Sequence, residues 1–357
     1  MIKGKQLSEN LFRLRQEYDT RLDKIRLGQN ERPQAMPPEL FREIISGYTI
    51  EEASAYPELK LVYDALSEYI GQPSGRIMLT SGADTAIKMV LESFCEKGNV
   101  ILTCSPTYLM YRVYAKMVDC KLNKVLPDNL GNFDLKQLID QGKHGARVIM
   151  IANPNGRTGF YFSMDELRLL LSEFPETPVI IDEVYADFAN LNAAPLLEEF
   201  DNLIILRSFS KNVGFAGLQV GYILAKEPVI EIIEKFKPAR EINSLAARSV
   251  KVLCSKPGLI EKLADETIRV RGDFANSLKE LGFEVIEKGG NFVLVNFGNK
   301  NKIIKASLIN NNVEFKSLDQ PLDDYIRLAI ANTEIMNAVL RIISEAADSK
   351  PEEPLTD

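Results

Sequence analysis

The stretch LIILRSFSKNVGFAGLQVGYILA (203–225) places one lysine, Lys211, between an apolar run and a segment broken by Gly214, Gly217 and Gly221. It follows two small hydroxyls, Ser208 and Ser210, and its flanks read as buried. A surface lysine among small apolar residues is improbable, whereas a lysine amine held in such surroundings suits covalent or proton-transfer chemistry. Upstream, DEVY carries Asp182 and Tyr185; SPTYLMY carries Tyr108; NPNGRTG (153–159) is an amide-rich turn; and SGAD (81–84) offers Gly82, Ala83 and Asp84. Taken singly, each is bland: SGAD also reads as a plain turn and cap. As a set, the amine, the carboxylate, the aromatic and the phosphate seat are what pyridoxal phosphate catalysis needs. The lysine holds the cofactor as a Schiff base and moves the α-proton, and the carboxylate keeps the pyridine nitrogen protonated. The aromatic stacks on the ring.

These residues fall where strands should end. Short β-branched runs recur at IMLT (77–80), VILTC (100–104), VIMIA (148–152), VII (179–181), LIIL (203–206) and VGYILA (220–225). Amphipathic helical stretches separate them, such as 83–94 and 163–174, the second opened by Ser163 and Glu166 at capping-box spacing. The alternation predicts an α/β domain whose largely parallel sheet is covered on both faces, with ligands gathered at the carboxyl ends of its strands. The start of the helix after IMLT is then a seat for phosphate on free N–H groups. Beyond about 243 the pattern changes to a long helical region (244–281), then FEVI, NFVLVNF and YIRLAI, and a last helix near 334–347. This predicts a large domain over 36–243 and a smaller C-terminal α+β domain over 244–347. Residues 1–35 form an N-terminal segment packed with the small domain, and 348–357 a disordered tail.

Bulk properties narrow the classes. With 357 residues, 45% hydrophobic and 26% charged, the composition is that of a soluble globular protein. A net charge of −7 disfavours nucleic acid, and no apolar run approaches the roughly 20 residues that cross a bilayer. Four scattered cysteines without a CxxC pair point to reduced thiols and a cytoplasmic setting. The single histidine, His144, lies in a polar stretch and reads as a surface residue, which leaves histidine triads and histidine-ligated metals without support. No metal is expected.

From LGQNERP to YIRLAIANTE the sequence resembles the fold-type-I pyridoxal-phosphate-dependent aminotransferases, most closely their histidinol-phosphate aminotransferase-like branch. SFSKNVGFAGLQVGY and the upstream DEVY are its most specific parts. The resemblance implies a mostly parallel seven-stranded sheet, Lys211 as the Schiff-base lysine, Asp182 as partner of the pyridine nitrogen, Tyr185 on the phenolic oxygen and Tyr108 stacked on the ring. It sets Gly82, Ala83, Asp84, Ser208 and Ser210 around the phosphate, with Tyr56 reaching that phosphate from the other subunit of a homodimer. Arg327 would clamp the substrate carboxylate, a role a bidentate fork suits. Asn30, Lys316 and Arg240 complete the expected substrate contacts. The implied activity is transfer of an amino group from an amino acid or amino phosphate donor to a 2-oxo acid, in amino acid biosynthesis.

Two positions depart from the family pattern. Gly156 stands where an asparagine normally touches the phenolic oxygen, so Asn155 or Asn153 is the expected substitute. Gln219 stands where an arginine normally binds the phosphate, and Arg157 is the candidate replacement cation. These departures keep open a decarboxylase of the same fold, and a ligand-binding protein without catalysis. A dinucleotide-dependent dehydrogenase would need a GxGxxG after the first strand, which is missing.

Overall fold

The computed structural model describes residues 21–348. Seven strands form the central sheet: β2 (Ile77–Thr80), β3 (Val100–Cys104), β4 (Lys121–Val125), β5 (Ala146–Ala152), β6 (Val179–Asp182), β7 (Leu203–Ser208) and β8 (Gly221–Ala225). Their order is β2-β8-β7-β6-β5-β3-β4, with β8 antiparallel to both neighbours and the remaining pairs parallel. Alternate residues face opposite ways, and both faces are covered. Leu79, Leu102, Ile149, Ile181, Ile205 and Leu224 face a core roofed by α1 (Pro38–Ser46), α3 (Lys60–Ile70), α6 (Leu135–Gly142) and α7 (Met164–Glu173). The short α2 (Ile50–Ser54) lies before α3. Met78, Ile101, Val148, Ile180, Ile204 and Ile223 face α4 (Gly82–Phe94), α5 (Leu109–Met117) and α8 (Glu227–Glu234). The capping box expected at Ser163 is present, Ser163 Oγ accepting from the Glu166 amide and the Glu166 carboxylate accepting from the Ser163 amide.

The helical region expected over 244–281 consists of two helices, α9 (Ser244–Cys254) and α10 (Leu259–Glu280). Lys256-Pro257-Gly258 separates them: proline cannot donate into a helical ladder, and Gly258 takes φ 76°. The break matters for the expected boundary at 243/244, because Ala246, Ala247, Val250 and Leu253 of α9 pack in the first core of the large sheet. The second body begins with α10.

That body is an antiparallel sheet of order β12-β13-β10-β9, formed by β9 (Glu284–Glu287), β10 (Phe292–Asn296), β12 (Lys316–Ser317) and β13 (Ile326–Ala329). One face packs on α10, α11 (Asn301–Asn310) and α12 (Thr333–Asp348) through Val293, Val295, Ile326 and Leu328. The other carries Phe292, Leu294, Leu318 and Tyr325, against which Tyr185 of the large body packs. Within the expected N-terminal segment, β1 (Ile25–Arg26) pairs in parallel with β11 (Val313–Glu314). The rest of that segment, residues 1–20, and the tail from 349 on lie outside the described residues. Cys95, Cys104, Cys120 and Cys254 are free, His144 is exposed in a turn, and no described helix is long and apolar enough to cross a membrane.

Candidate active site

The predicted residues meet at the carboxyl edge of the large sheet, where the second body covers it. Asp182 is the last residue of β6 and only 6% exposed. The Tyr111 hydroxyl donates to its Oδ2 at 2.7 Å and the Val184 amide to its Oδ1 at 3.2 Å. Burial raises the Asp182 carboxyl above its ordinary range, while the Tyr111 bond, the Val184 amide and the Lys211 charge pull it down in part. A cationic ring N–H beside this carboxylate would relieve its desolvation, which is the pairing that a pyridoxal nitrogen requires.

Lys211 follows β7, its Nζ donating to the Gln29 carbonyl at 3.2 Å and lying 5.9 Å from the centre of the Tyr185 ring. Tyr185 is turned edge-on to Phe292, with centroids 6.2 Å apart, and its hydroxyl accepts from Asn30 Nδ2 at 3.2 Å. Asn30 has no exposure and takes φ 60°. Its Nδ2 also reaches the Gly156 carbonyl at 3.5 Å, and its Oδ1 is buried without a partner among the described residues.

The phosphate seat is made by close packing. Gly221 lies between Thr80 and Ser208 on the neighbouring strands. A Cβ there would fall 2.5 Å from the Arg207 carbonyl oxygen and 3.1 Å from the Ala83 nitrogen, so only glycine lets α4 begin this close to β7. Gly82 opens α4, Ser208 Oγ donates to Ser210 Oγ at 3.0 Å, and the Gln219 side chain lies over the helix start. Asp84, in the first turn, accepts from Tyr108 at 3.2 Å and from Tyr114 at 2.6 Å. Tyr108 is 47% exposed and edge-on to Tyr111. Free helix N–H groups, paired hydroxyls and a partly exposed ring fit a phosphorylated aromatic cofactor.

Arg327 is no edge residue. It lies in β13 between β12 and β10, 6% exposed, with Nη1 donating to the Gly156 carbonyl at 2.6 Å and Nη2 to the Gly28 carbonyl at 2.8 Å. Phe292 lies under it at 5.3 Å. No carboxylate among the described residues pairs with it, its Nε is an orphan, and burial lowers its pKa to about 10. A buried guanidinium without an acid is a socket for an anion.

Several expectations change. Asn155 is tied into its own loop: its Nδ2 donates to the Pro106 carbonyl and its Oδ1 accepts from the Arg157 and Thr158 amides, which leaves one Nδ2 N–H as the group it could offer the cofactor. Asn153 has no exposure and bonds the Phe162 backbone through both its Nδ2 and its Oδ1. Gly156 is explained by space, since a Cβ there would lie 2.7 Å from Tyr185 Cε2. The ring occupies what a side chain would fill. No described contact ties the Arg157 side chain to the phosphate seat, and its charge acts on Lys316 and Arg327. Arg240 lies with its guanidinium 4.2 Å over the Tyr56 ring, and Tyr56 is 75% exposed. Sequence reading missed Tyr111, although Tyr108, Tyr111 and Tyr114 at spacing three on α5 is a helical stripe aimed at one place. It also missed Phe292 and the Gln29 and Gly28 carbonyls, which carry no signal in residue type.

The sequence pattern of aminotransferase class I and II matches residues 22–340. The chain belongs to that family. It is 30% identical over 329 residues to histidinol-phosphate aminotransferase 1 of Carboxydothermus hydrogenoformans, covering 90% of this chain and 92% of that one. The fold superposes with TM-score 0.86 on the histidinol-phosphate aminotransferase of Sinorhizobium meliloti solved with pyridoxal 5'-phosphate, at 20% identity over 97% and 98% of the two chains. An L-threonine-O-3-phosphate decarboxylase of Porphyromonas gingivalis shares the fold at TM-score 0.72 and 20% identity, over 87% and 98%. This aminotransferase is a fold-type-I enzyme that uses pyridoxal 5'-phosphate.

Proposed function

We propose that this aminotransferase moves an amino group from a phosphorylated amine or an amino acid to a 2-oxo acid, with histidinol phosphate the first donor to test. One observation carries the reading. A lysine amine, a buried carboxylate and a buried arginine without an acid partner among the described residues gather around Tyr185 at the end of a parallel sheet.

The cofactor supplies an electron sink for the amino-bearing carbon. Asp182 holds a proton on the ring nitrogen through its buried oxygens, steadied by Tyr111. Lys211 Nζ is the base that would take the proton from the amino-bearing carbon and hold it for return. The Tyr185 hydroxyl, set by Asn30, donates to the ring oxygen. Arg327 grips the substrate anion and so fixes which bond lies across the ring, and the second body shuts out water.

Gly82, Ala83, Ser208 and Ser210 bind the phosphate, with Tyr108 against the ring and Asp84 holding Tyr108. The working unit is a homodimer. Phe41, Ile45, Ile50, Tyr56 and Leu61 are exposed apolar residues on α1 to α3, which supports burial of this face by a second copy whose Tyr56, with Arg240 stacked on it, reaches the phosphate. Four free thiols support a cytoplasmic setting.

The test is a visible spectrum of the protein with pyridoxal phosphate, repeated for Lys211→Ala and after borohydride reduction. A lysine-dependent band that converts to the pyridoxamine form with histidinol phosphate or L-glutamate supports transamination. Carbon dioxide release would move the assignment to decarboxylation, and a band indifferent to Lys211 would end the enzymatic reading.

A further inference from the structure

A cavity of about 290 Å3 lies on the seam between the two bodies, and none of the catalytic residues described above lines it. Its walls include Tyr161 and Phe188 of the large body, and Arg271 of α10 with Glu287 and Lys288 of the second. The volume sits at the small end of ligand pockets, roughly 300–1,000 Å3, and suits a metabolite of amino-acid size.

Arg271 gives the cavity its chemistry. The residue is only 8% exposed, yet its carboxylate contact among the described residues is a single one, Nε to Glu287 Oε1 at 3.3 Å. A well-made charged pair is closer, roughly 2.7–2.9 Å. Nη1 is spent on two carbonyls, Phe188 at 3.1 Å and Gly290 at 2.5 Å, one from each body. Nη2 donates to no described residue and is not sealed off, which leaves its two N–H groups open on the cavity that Arg271 lines. The Tyr161 hydroxyl, from the other body, likewise bonds no described residue. Lys288 adds a second positive charge, its Nζ fixed on the Leu130 carbonyl at 2.7 Å and on Asn132 Oδ1 at 2.6 Å. A nearly buried guanidinium with a loosely held acid partner and two idle donors is completed by a carboxylate.

The walls run straight into the catalytic site. A Cβ on Gly289 would fall 2.6 Å from Tyr161 Cδ1 and 3.0 Å from Ala189 Cβ, and one on Gly290 would fall 2.2 Å from Phe292 Cε1. Phe292 lies under Arg327 and edge-on to Tyr185, and the Phe188 amide donates to the Tyr185 carbonyl at 3.1 Å. Packing this close passes a shift of the turn on to both side chains.

We infer that this seam cavity is a second ligand site, taking a small carboxylate on Arg271 and Tyr161, whose occupation adjusts Tyr185 and Arg327 through the Gly289–Gly290 turn. Glu287 is placed to receive an ammonium beside it. A free amino acid and a simple acid thus share the carboxylate and differ at Glu287.

The experiment uses the cofactor-loaded protein with its Schiff base reduced by borohydride, so that probes bind without reacting. Calorimetry with the common L-amino acids, and with L-lactate and L-phenyllactate as acids lacking the ammonium, is expected to find a site whose dissociation constant rises roughly tenfold or more in Arg271→Gln. Tyr161→Phe removes no bond between described residues; it weakens the site roughly threefold or more and tests it even where Arg271→Gln does not fold. A preference for amino acids that Glu287→Gln erases identifies an amino-acid ligand, and equal binding of both classes a simple acid. In the unreduced enzyme the bound probe changes the half-reaction rate at saturating donor, and less so in Tyr161→Phe at the same probe concentration. No binding, binding indifferent to both variants, or an effect that saturating donor abolishes overturns the inference.

Discussion

Asp182 sets stability against function within one side chain. Its carboxyl is raised by burial, so the folded state holds that proton more tightly than the unfolded chain does. Above the folded pKa the ionised group costs stability; below the unfolded value near 3.9 the cost is gone. Asp182→Asn is therefore expected to raise the thermal midpoint of the cofactor-free protein at pH 7 by roughly 2 °C or more, with the gain narrowing as pH falls toward about 4. Both contacts survive with the amide oxygen turned to the Val184 N–H, because the Tyr111 hydroxyl can then accept from the amide NH2. Transamination should drop roughly 100-fold or more, the scale for removing one charge-stabilising group from a site. Parallel calorimetric scans across pH and half-reaction rates check both arms, and a variant less stable at neutral pH would refute the argument. Gly156 is the opposite case at this scale: its missing side chain is what allows the Tyr185 ring its place.

At the scale of elements, the start of α4 is the cofactor's anchor, and the Gln219 side chain lies over it with its amide donating to the Ala216 carbonyl at 2.6 Å. Gln219→Arg would bring a guanidinium to that helix terminus and is expected to lower the dissociation constant for pyridoxal phosphate roughly tenfold or more. Equilibrium dialysis reads it, and an unchanged constant would mean that position 219 does not reach the phosphate. The interior strands were legible because they are continuous β-branched runs that end in polar residues. β4 was not, since KLNKV is a largely exposed edge strand with lysines at both faces. β1, β11 and β12 are two residues each, too short for any periodicity. The same limit divides the site. Lys211 and Asp182 announce themselves by residue type and Arg327 only through the family resemblance, whereas the bonds of Asn155 were not legible because side-chain direction inside a loop follows from hydrogen bonds that span distant segments. Tyr111 was overlooked because a buried tyrosine on a helix reads as core.

For the molecule as a whole, the exposed apolar face on α1 to α3 predicts its state in solution. Ile50 and Tyr56 are 82% and 75% exposed, with Phe41 and Leu61 about half exposed beside them. Sedimentation is expected to give twice the 40.1 kDa chain mass, and Ile50→Asp with Leu61→Asp to shift it toward the single chain. Cofactor affinity should fall in the same variant, because Tyr56 of a second copy is withdrawn. A wild type that sediments as a single chain would remove Tyr56 from the phosphate.

The clamp also ties together parts of the chain that are made far apart in time. Arg327 rests on the carbonyls of Gly28 and Gly156, and the Asn291 side chain donates to the Asn30 carbonyl at 3.0 Å. Lys211, Asp182 and the phosphate seat all precede residue 226 and belong to one sheet. A chain emerging from the ribosome thus owns its cofactor half long before its substrate half, and residues 27–30 wait for a strand some three hundred positions later. Until β13 arrives, such a nascent chain can hold a reactive carbonyl compound yet has no means of choosing which amine to present to it.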